Sequence, residues 1–199
     1  ATGATAKYLG LESELRLRGM GVSACATCDG FFYKGRDVAV VGGGDTACEE
    51  AQYLASICNK VYMIVRKDYL RASKAMQAKV MNTPNIEILF QHNTKEVLGD
   101  EEQGVTGALL CDKDGNDVTI DIAGFFLAIG HHPNTEVFKP FINTDEEGYV
   151  LVEPGTCKTN VEGIFAAGDV RDPHYRQAIS AAGTGCMAAL EAEKYLMSL

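Results

Sequence analysis

Two thiols and a carboxylate are the first residues whose types and spacing could do chemistry. Cys25 and Cys28 stand in Ser-Ala-Cys-Ala-Thr-Cys-Asp-Gly, residues 23–30, with Asp29 directly after the second thiol. Thiols this close can close a small-ring disulfide, and strain and local field set how readily it takes and gives electrons. Two plainer readings stand beside that one. The pair could be half of a zinc site, although a structural zinc takes four ligands and no second Cys-x-x-Cys or His-x-x-x-His occurs in the chain. It could also be two unrelated buried cysteines. What favours a redox dithiol is its company. A dinucleotide fingerprint begins at Gly42, and a dithiol beside a nicotinamide site makes a short electron-transfer chain.

The fingerprint is Gly42-x-Gly44-x-x-Ala47. It follows a short apolar run, 37–41, and opens a segment of helical periodicity, which is the context that gives the motif meaning. Gly42 permits the tight turn, Gly44 lets the backbone approach a pyrophosphate, and Ala47 allows close packing of helix on strand. Asp45 and Thr46 complete the candidate cofactor-binding turn, and an anion there would face free N–H groups and the positive end of the helix dipole. The alternative is a glycine-rich turn with no ligand. The next strand bears on which nicotinamide would bind. An NAD site places Asp or Glu roughly 20 residues after the glycines. Here the strand ends Val65-Arg66-Lys67-Asp68, with Arg71 a helical turn on. Arg66, Lys67 and Arg71 would converge on a 2′-phosphate, which predicts NADPH. Asp68 reads as the N-cap of a helix over 72–81. A solvated basic cluster is the alternative.

These residues need a frame. Runs at 37–41, 61–65, 86–90 and 125–129 have the length and apolarity of buried parallel strands, and 45–57 has helical spacing at Ala47, Ala51, Leu54 and Ala55. Together they make a βαβ-type α/β unit. Residues 1–22 read as a loop leading into the dithiol. Residues 105–111 and 117–122 flank Asp112-Lys113-Asp114-Gly115-Asn116, a hairpin signal, and 100–102 reads as a solvated loop. After Ile129 and Gly130 the pattern resets. Tyr149–Val152 and Gly163–Ala167 read as further strands, the second followed by Gly168-Asp169, which could hold a ribityl or ribose hydroxyl. Arg176-Gln177-Ala178 opens a helix to Leu196 whose positive end could stabilise a reduced, anionic flavin. Gly183 and Gly185 cost helix propensity there, so something is expected to pack close against them. Cys48, Cys58, Cys111, Cys157 and Cys186 read as buried, inert thiols, and no histidine has metal-like spacing.

Composition bounds the answer. The 199 residues suffice for one large domain or two small ones, and 46% hydrophobic residues support a sizeable core. A net charge of -9 argues against a nucleic-acid partner. Seven cysteines cannot all pair within one chain, which with the dithiol favours a reducing, cytoplasmic compartment. No apolar run has the length of a membrane span.

The motifs together resemble the low-molecular-weight, bacterial-type thioredoxin reductases. The matching stretches are ATGA at 1–4, GVSACATCDGFFYKG at 21–35, VVGGGDTACEEA at 40–51, VRKDYLRAS at 65–73, AIGHHPNT at 128–135 and the run from Gly163 to Leu196. The resemblance implies an NADPH-binding domain of Rossmann type, residues 5–130, with a central parallel sheet and a small antiparallel one. That domain carries the dithiol and is inserted into an FAD-binding α/β domain represented by 1–4 and 131–199. It implies electron flow from NADPH through FAD to the Cys25–Cys28 disulfide and on to thioredoxin. In that scheme Cys25 attacks the thioredoxin disulfide, Cys28 lies nearer the flavin and Asp29 is the acid/base. Thr2, Gly3, Ile129, Gly130, Gly168, Asp169, Arg176, Gln177 and Ala178 join the cofactor-binding set, a homodimer is implied, and Gly3 and Gly130 mark candidate hinges. Where the family usually has His-Arg-Arg-Asp, this chain has Val65-Arg66-Lys67-Asp68, which stays cationic. The family's first FAD-binding βαβ segment would precede residue 1, so this chain alone is expected to be colourless and inactive. Alternative readings are the flavoprotein component of an alkyl hydroperoxide reductase system, expected to favour NADH, and an inactive NADPH-binding fragment. A ferredoxin reductase of similar fold would lack the dithiol.

Overall fold

The computed structural model describes residues 1–199, which form two units, 7–130 and 1–6 together with 131–199. In chain order the elements are β1 (Ala4–Ala6), α1 (Glu12–Arg16), β2 (Val22–Ser23), α2 (Ala26–Asp29), β3 (Asp37–Val41), α3 (Asp45–Ala55), β4 (Lys60–Val65), α4 (Lys74–Met81), β5 (Ile86–Phe90), β6 (Asn93–Asp100), β7 (Gly104–Cys111), β8 (Asp117–Asp121), β9 (Gly124–Leu127), β10 (His131–Pro133) and α5 (Ala178–Met197). Short 3-10 turns occupy Gly30–Tyr33 and Gly168–Val170. Because β1 pairs antiparallel with β10, Ala4 opposite Pro133, the chain crosses between units at residues 6 and 7. No helix is long and apolar enough to cross a membrane.

The 7–130 unit is built on a five-stranded parallel sheet in the order β2-β9-β3-β4-β5. Its strands are apolar on both faces because both are covered. Period-2 alternation sorts the side chains. Val38, Val40, Val61, Met63, Val65 and Phe126 pack with α3 and its neighbours, whereas Ala39, Val41, Ile64, Phe125 and Leu127 pack with Val97, Ala108 and Leu110 of a second sheet. That second sheet, β6-β7-β8, is antiparallel. Helix α3 presents Ala47, Cys48, Ala51 and Leu54 to the first face, the i, i+1, i+4, i+7 stripe of a surface helix.

Several expectations from the sequence are corrected here. Residues 1–22 are not one loop: α1 buries Ser13 and Glu14, and the Glu14 carboxylate accepts hydrogen bonds from the Leu9 and Gly10 amides at 3.0 Å each. β6 is a full eight-residue strand ahead of the hairpin. It is polar by composition, and only Val97 along it is fully buried, so it carries little apolar signal. In the other unit, Tyr149–Val152 and Gly163–Ala167 are not strands. They meet neighbours at single bridges, Thr144 with Val150 and Lys158 with Phe165. Their backbone groups bond at scattered points such as Val150 N–H to the Val170 carbonyl and Ala166 N–H to the Cys157 carbonyl, so no ladder forms. A small core of Ile142, Val150, Ala166 and Val170 holds this unit. Helix α5 runs twenty residues with none fully buried. A side chain at Gly183 or Gly185 would meet nothing within 4 Å, so the close packing expected there is not made within this chain.

Candidate functional site

The site of the 7–130 unit lies where parallel strands end, the edge at which open α/β sheets bind ligands. Each strand delivers one piece. After β2 comes the dithiol, after β3 the glycine turn, after β4 the cations, after β5 His92 and after β9 Ile129 and Gly130.

The glycine turn is constrained by close approach. Gly42 has φ +145°, and a Cβ there would stand 2.5 Å from the Ala128 carbonyl oxygen and 2.8 Å from the Ala47 methyl. Only glycine fits, and a methyl at Ala47 is as much as the helix can present to it. Gly44 is the extended N-cap of α3, with nothing within 4 Å of where a Cβ would lie. That open space over the helix start is what a pyrophosphate needs.

The segment after β4 is tied to this turn. Gly43 accepts hydrogen bonds through its carbonyl from the Arg71 amide at 2.6 Å and the Ala72 amide at 3.1 Å. The Asp45 carboxylate accepts from the Ser73 amide at 2.9 Å, and that bond holds its pKa below the usual carboxylate value. Asp45, expected to touch cofactor, therefore has one oxygen committed to holding the cationic segment, and the exposed Thr46 hydroxyl stands beside it on the first turn of α3. The cap of α4 is Ser73, whose hydroxyl accepts from the Met76 amide, and not Asp68. Residues 68–72 instead form the bend that turns Arg71 back toward Gly43. The outcome is a cleft of about 320 Å³ lined by Gly42, Gly43, Arg66, Lys67, Arg71 and Ile129, with Leu9, Tyr69, His92 and Asn93 at its sides. Leu9, Tyr69, His92 and Asn93 were not legible as site residues. No motif marks them, and they come from separate segments: Leu9 precedes α1, Tyr69 follows β4, His92 follows β5 and Asn93 opens β6.

At the other end of the sheet edge, Cys25 and Cys28 are disulfide-bonded, with their Cα atoms 5.3 Å apart. Cys25 is the N-cap of the one-turn helix α2, and its carbonyl accepts from the Cys28 and Asp29 amides. Its sulfur lies 3.5 Å from the Thr27 hydroxyl. The Ser23 hydroxyl donates to an Asp29 carboxylate oxygen at 2.6 Å. Buried Ala26, and Gly30 with no room for a Cβ beside Leu54, press this turn onto α3. Directly after it, Phe31 and Phe32 are 67% and 77% exposed, an apolar pair that the sequence presented only as part of a longer match. Cys28 is exposed and Cys25 half-buried, so exposure within this chain would make Cys28 the outer thiol.

The remaining thiols divide. Burial, then the charges of Asp45 and Glu49, push Cys48 up to about 11, and burial with Asp37 does the same for Cys58. Both are protonated and inert near neutral pH. Cys157 is buried too, but Cys111 is half-buried and Cys186 is exposed on α5, contrary to expectation, because that helix buries no residue.

The other sequence-predicted residues lie in the 1–6/131–199 unit, apart from Gly130, which closes the 7–130 unit and whose carbonyl accepts from the Lys7 amide. Thr2 and Gly3 are tied to Asn134, the Thr2 hydroxyl donating to its carbonyl and Gly3 accepting from its amide. Gly168, at φ +75°, donates through its amide to the Thr184 hydroxyl, and Asp169 follows in the same 3-10 turn. Helix α5 starts at Ala178, with Gln177 as N-cap in a reciprocal capping box with Ser180 and Arg176 just outside it at φ +48°.

Comparison with known proteins places this arrangement. The pyridine nucleotide-disulphide oxidoreductase family profile matches residues 1–185. Thioredoxin reductase of Coxiella burnetii is 54% identical over all of this chain, and "NADPH-dependent thioredoxin reductase 3" of Arabidopsis thaliana is 50% identical over the same extent. The solved thioredoxin reductase of Giardia duodenalis superposes with a TM-score of 0.90 at 46% identity over 98% of the chain. The chain spans 64% of the length of the Coxiella and Giardia proteins and 38% of the Arabidopsis one.

Proposed function

The chain belongs to the pyridine nucleotide-disulphide oxidoreductase family, and from that premise we propose that it is the dithiol-bearing part of an NADPH-dependent thioredoxin-disulfide reductase. The observation that carries the reading is the Cys25–Cys28 disulfide on the same sheet edge as a glycine turn flanked by Arg66, Lys67 and Arg71. The three cations support NADPH over NADH, since a 2′-phosphate is the group that rewards them. This also weighs against a peroxide-system flavoprotein that favours NADH.

In this reading the 7–130 unit takes NADPH and the 1–6/131–199 unit contributes Thr2, Gly3, Gly168, Asp169, Arg176, Gln177 and Ala178 to FAD. The conformations of Gly3 and Gly168, both at positive φ, are compatible with backbone approach to that group. When bound, NADPH would supply a hydride and FAD would provide the two-electron redox chemistry between it and the disulfide. The chain's own residues do the rest. Gly42 and Gly44 leave the backbone open to pyrophosphate. Arg66, Lys67 and Arg71 anchor the 2′-phosphate. The Thr27 hydroxyl beside the Cys25 sulfur supports a thiolate there, which favours Cys25 as the attacking group, and Asp29 following Cys28 handles the proton of the second thiol. Exposed Phe31 and Phe32 next to the disulfide fit the docking of a protein substrate, thioredoxin. A cytoplasmic homodimer accords with the free thiols and with the resemblance.

The test is NADPH oxidation coupled to reduction of oxidised thioredoxin by the FAD-loaded protein. Turnover with NADPH well above that with NADH, abolished by Cys25→Ser, supports the proposal. Equal use of both nucleotides, or turnover surviving Cys25→Ser, refutes it.

A further inference from the structure

One side chain beside the dithiol is neither a thiol nor the acid/base, and its bonds join the two. Ser23 ends β2 and is 9% exposed. Its hydroxyl has one proton to give. The Asp29 carboxylate oxygen at 2.6 Å takes it, because a carboxylate can only accept and a charge-assisted bond outcompetes the 3.4 Å approach to the Cys25 carbonyl. The Ser23 hydroxyl oxygen in turn accepts from the Cys25 amide at 3.1 Å. A single buried hydroxyl thus spans from the backbone of the first cysteine to the carboxylate that follows the second. It is fixed by β2 itself, where Ser23 pairs in register with Phe126 of β9. The 2.6 Å contact bridges six residues and leaves one carboxylate oxygen uncommitted to Ser23.

We propose that Ser23 is a positioning residue for thiol–disulfide exchange: it holds Asp29 by one oxygen so that the other faces proton traffic at the dithiol, and it ties that carboxylate to the backbone of Cys25. The inference rests on the thioredoxin-reducing function proposed above. In the step it serves, the Cys25 thiolate attacks a substrate disulfide, forming a mixed disulfide and releasing one substrate thiolate. Cys28 then gives its proton to the carboxylate and attacks the Cys25 sulfur, releasing the second substrate thiolate. The Cys28 proton passes through the carboxylate to one substrate thiolate, the other substrate thiolate takes a proton from solvent, to which Cys25 gave its own on forming the thiolate, and the two electrons of the dithiol pass to the substrate. Asp29 relays a proton through its unheld oxygen and is restored at the end.

The experiment needs no bound cofactor. The Cys25–Cys28 pair is reduced chemically, the reductant is removed, and single-turnover reduction of oxidised thioredoxin is followed over a range of thioredoxin concentrations. Four variants are compared with wild type: Ser23→Ala, Ser23→Thr, Asp29→Asn and the Ser23→Ala/Asp29→Asn double variant. The expected result is a limiting rate about 10-fold lower for Ser23→Ala, less than the roughly 100-fold or more that loss of the acid/base itself costs, because Asp29 stays in place. The thioredoxin concentration giving half the limiting rate stays unchanged, Ser23→Thr recovers the rate, and the double variant is no slower than Asp29→Asn. A wild-type rate in Ser23→Ala overturns the proposal. So does a double variant that is slower than Asp29→Asn by the full Ser23→Ala factor, because the serine would then act on the fold and not through the carboxylate. Failure of the wild-type dithiol to reduce thioredoxin at all would instead remove the proposed function, a result distinguishable from either.

Discussion

In the 7–130 unit the eleven-residue helix α3 buries Ala47, Cys48, Ala51 and Leu54 against a five-stranded sheet; in the 1–6/131–199 unit the twenty-residue helix α5 buries no residue and leaves Ile179, Leu190 and Leu196 more than half exposed. The shorter helix is the better anchored. The difference follows from what each segment pairs with. Around α3, each strand of the sheet finds its hydrogen-bonding neighbours inside residues 22–127, and both sheet faces are covered by elements of the same unit. Around α5 the backbone makes single bridges and the core is four buried residues. Rigid placement of a site is therefore to be looked for first in the 7–130 unit, where the dithiol turn and the glycine turn both rest on α3.

The sharpest way to break this comparison is at the thiols. Cys25→Ser or Cys28→Ser should abolish thioredoxin reduction, whereas Cys186→Ser on the exposed α5 should leave it intact. The Cys25 and Cys28 variants should also differ from each other. With Cys28 replaced, Cys25 should hold a lasting mixed disulfide with thioredoxin, and with Cys25 replaced trapping should be weak. Mass spectrometry of the adduct decides, and stronger trapping by Cys28 would follow its greater exposure and reverse the assigned roles.

Next come packing and close approach. Leu54→Ala should destabilise by about 2–5 kcal/mol in denaturant unfolding, while Leu190→Ala should stay within about 0.5 kcal/mol. Similar losses at both would erase the contrast between the helices. Gly42→Ala forces a methyl against the Ala128 carbonyl at a positive φ, so about 1–3 kcal/mol of stability should go together with nucleotide binding. A smaller effect is expected from the cations. Arg66→Ala and Arg71→Ala should each weaken NADPH binding by about 1.5–3 kcal/mol, the worth of a charged hydrogen bond, and leave NADH unchanged in calorimetric titration.

The smallest effect belongs to the weaker unit. Burial disfavours the Asp172 carboxylate, but amide hydrogen bonds from Tyr175, His174 and Arg176 outweigh it and lower its pKa. A depressed carboxylate pKa contributes stability that is present above the unfolded value and lost as pH falls through the folded one. Asp172→Asn should therefore lower stability by about 1 kcal/mol at neutral pH, discounted for solvent exposure, and the gap from wild type should close below the ordinary carboxylate range. Thermal melts at both pH values test it.

Legibility in the sequence followed the same divide. Val38 to Val41, Val61 to Val65 and the Gly42–Ala47 turn were readable because apolar runs and glycine spacing are local signals of buried parallel strands and of a tight crossover. β6 was not, since a strand with one fully buried residue has hardly any apolar alternation to read. Ser73 displaced Asp68 as the cap of α4 because Gly43 and Asp45, distant in sequence, hold residues 71–73 in place. Tyr149–Val152 and Gly163–Ala167 have the composition of strands, but a strand is made by its neighbours, and here each finds one bridge. The Ser23–Asp29 bond was invisible for another reason: six residues apart across a one-turn helix, the pair matches no periodicity.

The central claim is that the Cys25–Cys28 disulfide is the electron acceptor of a nicotinamide-fed chain. The measurement that meets it directly is differential alkylation of the FAD-loaded protein under anaerobic conditions, with and without NADPH, read by peptide mass spectrometry. The account predicts that NADPH converts the 25–28 peptide from disulfide to two alkylated thiols and leaves the alkylation of Cys48 and Cys58 unchanged. A flavin bleached by NADPH beside an intact Cys25–Cys28 disulfide would contradict it.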